Sequence, residues 1–269
     1  MGTFVTPSGQ RLHVEDTGRG PPILLLHGWA ASSAILGPFA AALGAGRRVV
    51  RYDLRGHGDS APALTAGLDD HAGDLGALVD GLALDGALLV GWSLGAQVIL
   101  RALPAIARRI RAVALIGATP RFTARDGWAD GLPARQVELL AQRFSRDPAR
   151  TRARFLADLL TLAEREQLGP ARLAAIDAGM RLPDSAAALA GLELLATADL
   201  RGELGAIGLP VLLVHGDADP ICLPGAARAM AEAIPGARLV LLAGAGHAPF
   251  LTREAEVAAA LLSFAESLP

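Results

Sequence analysis

Six short apolar runs, each closed by turn residues, limit what this chain can fold into more than any other feature. They are ILLLHG from Ile23, RRVVRYD from Arg47, GALLVGWS from Gly86, RAVALIG from Arg111, LPVLLVHGD from Leu209 and ARLVLLAGAG from Ala237. Their length suits strands, and unbroken rather than alternating hydrophobicity suits strands covered on both faces. Ala- and Leu-rich stretches of helical length lie between several of them, such as 69–84 and 226–234. Strands alternating with helices predict an α/β fold with a doubly wound, mostly parallel sheet. The opening TFVTPSGQRLHVEDTG reads as an antiparallel hairpin leading into that sheet.

The alternation stops between about Thr119 and Thr197. Helical, Arg-rich sequence takes over there, in ARQVELLAQRF, PARTRARFLADLLTLAERE and AALAGLELLATADL. The expected organisation is a core from residues 1–118 and 198–269, with residues 119–197 inserted as a helical cap. Asp147-Pro148 marks a helix start, an N-cap followed by Pro at the first position. In the helix that follows, Arg150 and Arg154 are four apart and share a face, and Phe155, Leu159 and Leu162 form an apolar stripe on another.

Composition removes several classes of function. Hydrophobic residues make up 52% of the 269, which excludes a disordered chain, and a net charge of −2 lacks the basic excess of a nucleic-acid binder. There is no Lys, so all 25 basic residues are Arg, and Schiff-base chemistry is excluded. The single cysteine, Cys222, allows neither an internal disulfide nor a Cys-based zinc site. No H-E-x-x-H, P-loop or dinucleotide fingerprint is present, so no metal and no cofactor are expected. No leader-like segment or membrane-length apolar run is found. A monomeric cytoplasmic protein with no membrane or nucleic-acid partner is the expectation.

Gly91-Trp92-Ser93-Leu94-Gly95 fits G-x-S-x-G between an expected strand and an expected helix, the setting of a nucleophile elbow. The small flanking residues let strand and helix approach, and the helix N-terminus lies where negative charge would form. In that arrangement an acid and then a histidine follow the serine in the chain. Only His215 and His247 follow Ser93. His247, in the Gly-rich GAGHAPF after the last strand, can reach over the sheet edge as the base. HGDADP offers Asp217 and Asp219. The nearer suits the turn, so Asp219 is taken as the acid that orients the imidazole. The oxyanion hole would be formed by the backbone amides of Leu94 and, from LLLHGWA, of Trp29. His27 would brace that loop. DLRGHGDS, from Asp53 to Ser60, is either another wall of the site or a scaffold loop held by Arg55 and His57.

HGW, DLRGHGDS, GWSLGA, HGDADP and GAGHAPF occur in the order typical of the α/β-hydrolase family, which the whole chain resembles. With HAPF and the cap segments TARDGW, RTRARFLADL and GLELLATADLR, it most resembles the pimeloyl-acyl carrier protein methyl ester esterases of biotin synthesis. The resemblance implies hydrolysis of a carrier-bound methyl ester by Ser93, Asp219 and His247 through an acyl-enzyme. It implies an acyl pocket of Trp29, Trp92, Leu94, Phe155, Leu156 and Leu159. It also implies docking of an acyl carrier protein on Arg150 and Arg154. Gln167 and Ala171 stand where the resemblance would place further docking arginines. A general short-chain carboxylesterase or lactonase with the same triad is the nearest alternative. A hydrolase-fold protein that only binds its ligand is the alternative outside enzymes.

Overall fold

The computed structural model describes residues 2–63, 66–181 and 183–268. Strands β1 (Gly2–Val5) and β2 (Arg11–Gly18) form the expected antiparallel hairpin. They are followed by β3 (Pro22–Leu26), helix α1 (Gly37–Leu43), β4 (Arg48–Tyr52), α2 (Leu68–Gly81), β5 (Ala87–Trp92), α3 (Leu94–Ile106) and β6 (Ile110–Ile116). Helices α4 (Ala134–Arg146), α5 (Pro148–Asp158), α6 (Leu162–Gly179) and α7 (Ser185–Thr197) then run without an intervening strand. The sheet resumes with β7 (Val211–Gly216), α8 (Pro224–Ala233) and β8 (Arg238–Leu242), followed by α9 (Pro249–Thr252) and α10 (Glu254–Glu266).

The eight strands form one sheet in the order β1-β2-β4-β3-β5-β6-β7-β8, parallel from β4 through β8. Helices α2 and α3 pack on each other, as do α1 and α10. The centre of the sheet is fully enclosed, with Leu24, Leu25, Leu26, Leu89 and Val214 at most 1% exposed. That is why those strands read as unbroken apolar runs. Strand order reverses at β3, which has β4 on one side and β5 on the other. Crevices at the carboxyl ends of strands beside such a reversal are where open α/β sheets place their ligands. Leu26 at the end of β3 is in register with Gly91 near the end of β5, so His27-Gly28-Trp29 and Ser93 emerge side by side.

Three local readings are corrected. β8 is an edge strand and half-exposed, because nothing pairs beyond it. The stretch 148–166 is two helices, broken at Leu159–Thr161, where the Leu159 carbonyl accepts from the His247 amide (2.8 Å). Leu162 therefore starts a new helix and is 65% exposed, so it is not part of an apolar stripe with Phe155 and Leu159. Among the described residues no helix is long and apolar enough to cross a membrane.

Candidate active site

β5 turns into α3 through a single residue, Ser93, at φ 55° and ψ −116°. A non-glycine residue there is strained by about 1–3 kcal/mol. The turn closes only because its flanks lack side chains. A Cβ on Gly91 would lie 2.7 Å from the Ala96 nitrogen, and one on Gly95 would lie 2.7 Å from the carbonyl oxygens of Leu26 and His27. The Ser93 amide donates to the Ile116 carbonyl (3.0 Å) and its carbonyl accepts from the Ala96 amide (2.9 Å), which fixes the elbow. The amide of Leu94 opens α3 and, as a first-turn N–H, has no acceptor within the helix.

The loop after β3 comes up against this elbow. Ala30 also has positive φ (54°), and the amide of Trp29 has no hydrogen-bond partner among the described residues. His27 braces the loop from beneath. Its Nδ1–H donates to the Gly28 carbonyl (2.8 Å) and its Nε2 accepts from the Leu54 amide (3.0 Å), which fixes one neutral tautomer. Burial lowers the pKa of this imidazole, against the opposing effects of Asp53 and the Gly28 carbonyl.

Asp219 and His247 come from the loops after β7 and β8. Asp219 Oδ1 accepts from the amides of Ile221 (2.8 Å) and Cys222 (2.9 Å), and Oδ2 accepts from His247 Nδ1 (2.7 Å). His215 Nε2 donates to the Cys222 carbonyl (2.7 Å) and lies 3.3 Å from Asp219 Oδ2. Burial alone would raise the pKa of Asp219. The imidazole of His247 and the hydrogen bonds from His215 and His247 outweigh it and hold the carboxyl well below its ordinary value. Asp217 instead accepts from the Gly244 amide (2.7 Å) and shapes the turn between the two loops. The Trp92 indole donates to the His247 carbonyl (3.0 Å), tying the His247 loop to the turn at Ser93. His247 is fully buried. Its Nε2 has no hydrogen-bond partner among the described residues, the Ser93 hydroxyl included.

Helices α4 to α7 complete the surroundings. The Trp29 indole donates to the Ala188 carbonyl of α7 (2.8 Å), and its ring meets Phe155 edge-on at 4.9 Å. A groove of about 620 Å³ runs between α4 and α5 and reaches Ile221, two residues from Asp219. Phe122, Val137, Leu140 and Phe155 give it an apolar lining. Of the acyl-pocket residues expected from sequence, only Phe155 lines this groove. Trp29, Trp92, Leu94, Leu156 and Leu159 are buried. Arg150 and Arg154 stand on the α5 side, with Arg143 and Arg146 opposite on α4. None of these four side chains has an ion-pair partner among the described residues. Nearby Arg121, Arg125, Arg135 and Arg152 are all paired with acids.

Arg143 and Arg146 were not singled out from the sequence, because their place opposite Arg150 and Arg154 depends on how α4 packs against α5. DLRGHGDS behaves as a scaffold. Arg55 pairs with buried Asp74 (2.8 Å), and Asp53 accepts from the amides of Ser33 (2.6 Å) and Asp59 (2.8 Å). His13, Asp53 and Asp59 are close enough together to surround a cation, yet those two amides already occupy Asp53, and Arg181 pairs with Asp59.

This fold and site define a hydrolase, and residues 21–254 match the α/β hydrolase fold family, to which the chain belongs. Its curated relatives narrow the position within that family. The chain is 35% identical over 241 residues to the pimeloyl-acyl carrier protein methyl ester esterase of Nitrosomonas europaea, covering 90% of this chain and 94% of that one. It is 36% identical over 260 residues to the enzyme of the same name from Stenotrophomonas maltophilia strain K279a, covering 96% and 97%. Among solved structures, an esterase from Exiguobacterium antarcticum superposes with a TM-score of 0.93 at 28% identity, over 99% of this chain and 100% of that one. An enol-lactonase from Burkholderia xenovorans gives 0.87 at 27%, over 99% and 100%. The α/β-hydrolase fold and the esterase class expected from sequence are both borne out: the chain is a carboxylic ester hydrolase.

Proposed function

We propose that the protein is a serine esterase that releases methanol from the methyl ester of a carrier-bound pimeloyl chain, with residues 119–197 as a cap over the core. Ser93 Oγ attacks the ester carbonyl while His247 Nε2 takes its proton. The amides of Trp29 and Leu94 hold the oxyanion. His247 then protonates the departing methoxide, which leaves as methanol. A water activated by the same imidazole cleaves the acyl-enzyme to the free carboxylate. Asp219 keeps the Nδ1–H tautomer and stabilises the imidazolium, and does not itself take the proton. Cytoplasmic function without a bound cofactor fits this chemistry.

The observation that carries the substrate assignment is the groove: an apolar floor for an aliphatic chain, rimmed by four arginines without ion partners. An acyl carrier protein presents acidic residues and an anionic arm, which suit such a rim. The relatives' names agree with that substrate. The test compares kcat/KM for a methyl pimeloyl-carrier ester with that for a short p-nitrophenyl ester, using Ser93→Ala as the blank. Preference for the carrier-linked ester is expected. Preference for the small ester would reduce the function to a general carboxylesterase or lactonase.

A further inference from the structure

Glu164 lies in the first turn of α6, far in sequence from Ser93, Asp219 and His247. It is 3% exposed and has no ion-pair partner among the described residues. A carboxylate in that position needs hydrogen bonds to remain buried. Oε2 accepts from the amides of Thr161 (2.8 Å) and Gly246 (2.9 Å) and from the Thr161 hydroxyl (3.1 Å). Oε1 accepts from the Thr252 hydroxyl (2.5 Å). The Thr161 contacts are an ordinary capping box, with Thr161 Oγ1 accepting from the Glu164 amide (3.2 Å), and a solvent-exposed Glu would serve as well. The contacts to Gly246 and Thr252 have another consequence. One carboxylate grips the chain immediately before His247 and again five residues after it.

The preceding turn adds a second grip, since the Leu159 carbonyl accepts directly from the His247 amide (2.8 Å). The approach is so close that a Cβ on Gly246 would lie 2.6 Å from the Leu159 oxygen and 2.9 Å from Glu164 Oε2. Among the described residues of the core, only the Trp92 indole touches the His247 backbone by a hydrogen bond, at its carbonyl. The base is thus held on one side by the elbow and on the other by the α5–α6 junction of the cap.

We propose that Glu164 is a positioning residue, through which the seated cap sets the imidazole of His247 between Asp219 and Ser93. The inference rests on His247 being the base. A displaced cap would then displace the base, and the site would be competent only with the cap in place. A shift of about 1 Å in a catalytic group can cost on the order of 10²-fold in rate.

The experiment measures kcat and KM on a small free ester, the rate of Ser93 modification by a fluorophosphonate, and the downfield proton resonance of His247 Nδ1–H. The proteins are Glu164→Ala, Glu164→Gln and His247→Ala. Glu164→Ala is expected to lose about 10²-fold in kcat and in modification rate with KM nearly unchanged, and to broaden or lose the downfield resonance. Glu164→Gln keeps an acceptor for Gly246 and an amide for Thr252, and should restore both rates to within a few-fold of wild type. If Glu164→Ala does not fold, Gly246→Ala, which wedges the two grips apart, should show the same kcat loss. Wild-type kcat and resonance in Glu164→Ala or Gly246→Ala, with His247→Ala inactive, would overturn the positioning role alone. An active His247→Ala would overturn the base assignment and this inference with it.

Discussion

Ser93 carries its hydroxyl on a backbone conformation that an L residue resists, and neither β5 nor α3 requires that conformation for its own sake. The strain belongs to the turn that lifts the side chain above the sheet, so stability and activity should separate at this residue. Ser93→Ala removes the hydroxyl and keeps the strain, whereas Ser93→Gly removes both. Both should be inactive, and Ser93→Gly should be the more stable by ~1 kcal/mol, the strain relieved less the entropy cost of glycine. Paired urea denaturations measure this difference. Equal midpoints would mean that the elbow stores no strain, and activity in either variant would remove Ser93 as the nucleophile. The strand-to-helix turn at Ser93 and the pairing of Asp219 with His247 were legible in the sequence because motif, chain order and turn chemistry each narrowed the choice. Glu164 was not, although Thr161-Leu162-Ala163-Glu164 carries the Thr-x-x-Glu sign of a helix start. That sign reveals the helix start but not the contacts to Gly246 and Thr252, which lie more than eighty residues away.

At the scale of elements, the central strands were legible because burial on both faces keeps polar residues toward their ends. The half-exposed edge strand β8 has the same apolar composition, so its exposure follows only from its place in the sheet. The cap helices were recognisable as helices, but their mutual arrangement was not. The break between α5 and α6 is fixed by the loop carrying His247, and the arginine groove exists only because α4 folds back beside α5. If that groove receives an acidic carrier, its two sides should behave alike. Arg150→Glu with Arg154→Glu, and separately Arg143→Glu with Arg146→Glu, should each raise KM for a carrier-linked ester at least tenfold. Neither should change the kinetics on a small free ester. The same reversal at Arg108 and Arg228, exposed on the core without ion partners, should have little effect. Added salt should weaken the wild-type preference for the carrier substrate by screening the pairs. Equal losses on both substrates would make the arginines structural.

Across the whole molecule, the site rests on a buried group of histidines whose charge state ties stability to pH. His57 and His71 are 1% exposed, and the His57 ring lies 5.5 Å from that of His27. Burial, reinforced by the charge of His27, lowers His57 to about 4, against the opposing pull of the Arg55 carbonyl, Asp53 and Asp184. Burial, reinforced by His57, Arg55 and His27, lowers His71 to about 3. Among the described residues, His57 Nε2 and His71 Nδ1 have no hydrogen-bond partner, so a proton arriving there would find no compensating acceptor. The unfolded chain takes up these protons as pH falls through 6.5, and the folded chain does not until pH reaches 3 to 4. The stability from keeping them neutral is therefore complete above pH 6.5 and is lost progressively on acidification below it, by about 1.4 kcal/mol per pH unit for each histidine. The carboxyl of Asp219, also lowered, adds its loss only below its ordinary value of 3.8. Urea unfolding at pH 7, 6, 5 and 4.5 should show a fall of several kcal/mol, and His71→Gln should flatten that slope. His27 links this group to the Gly28 carbonyl and the Leu54 amide, so esterase activity should fail in acid together with the fold. A wild-type midpoint that does not move between pH 7 and 4.5 would mean that these histidines take protons as easily in the folded chain as in the unfolded one.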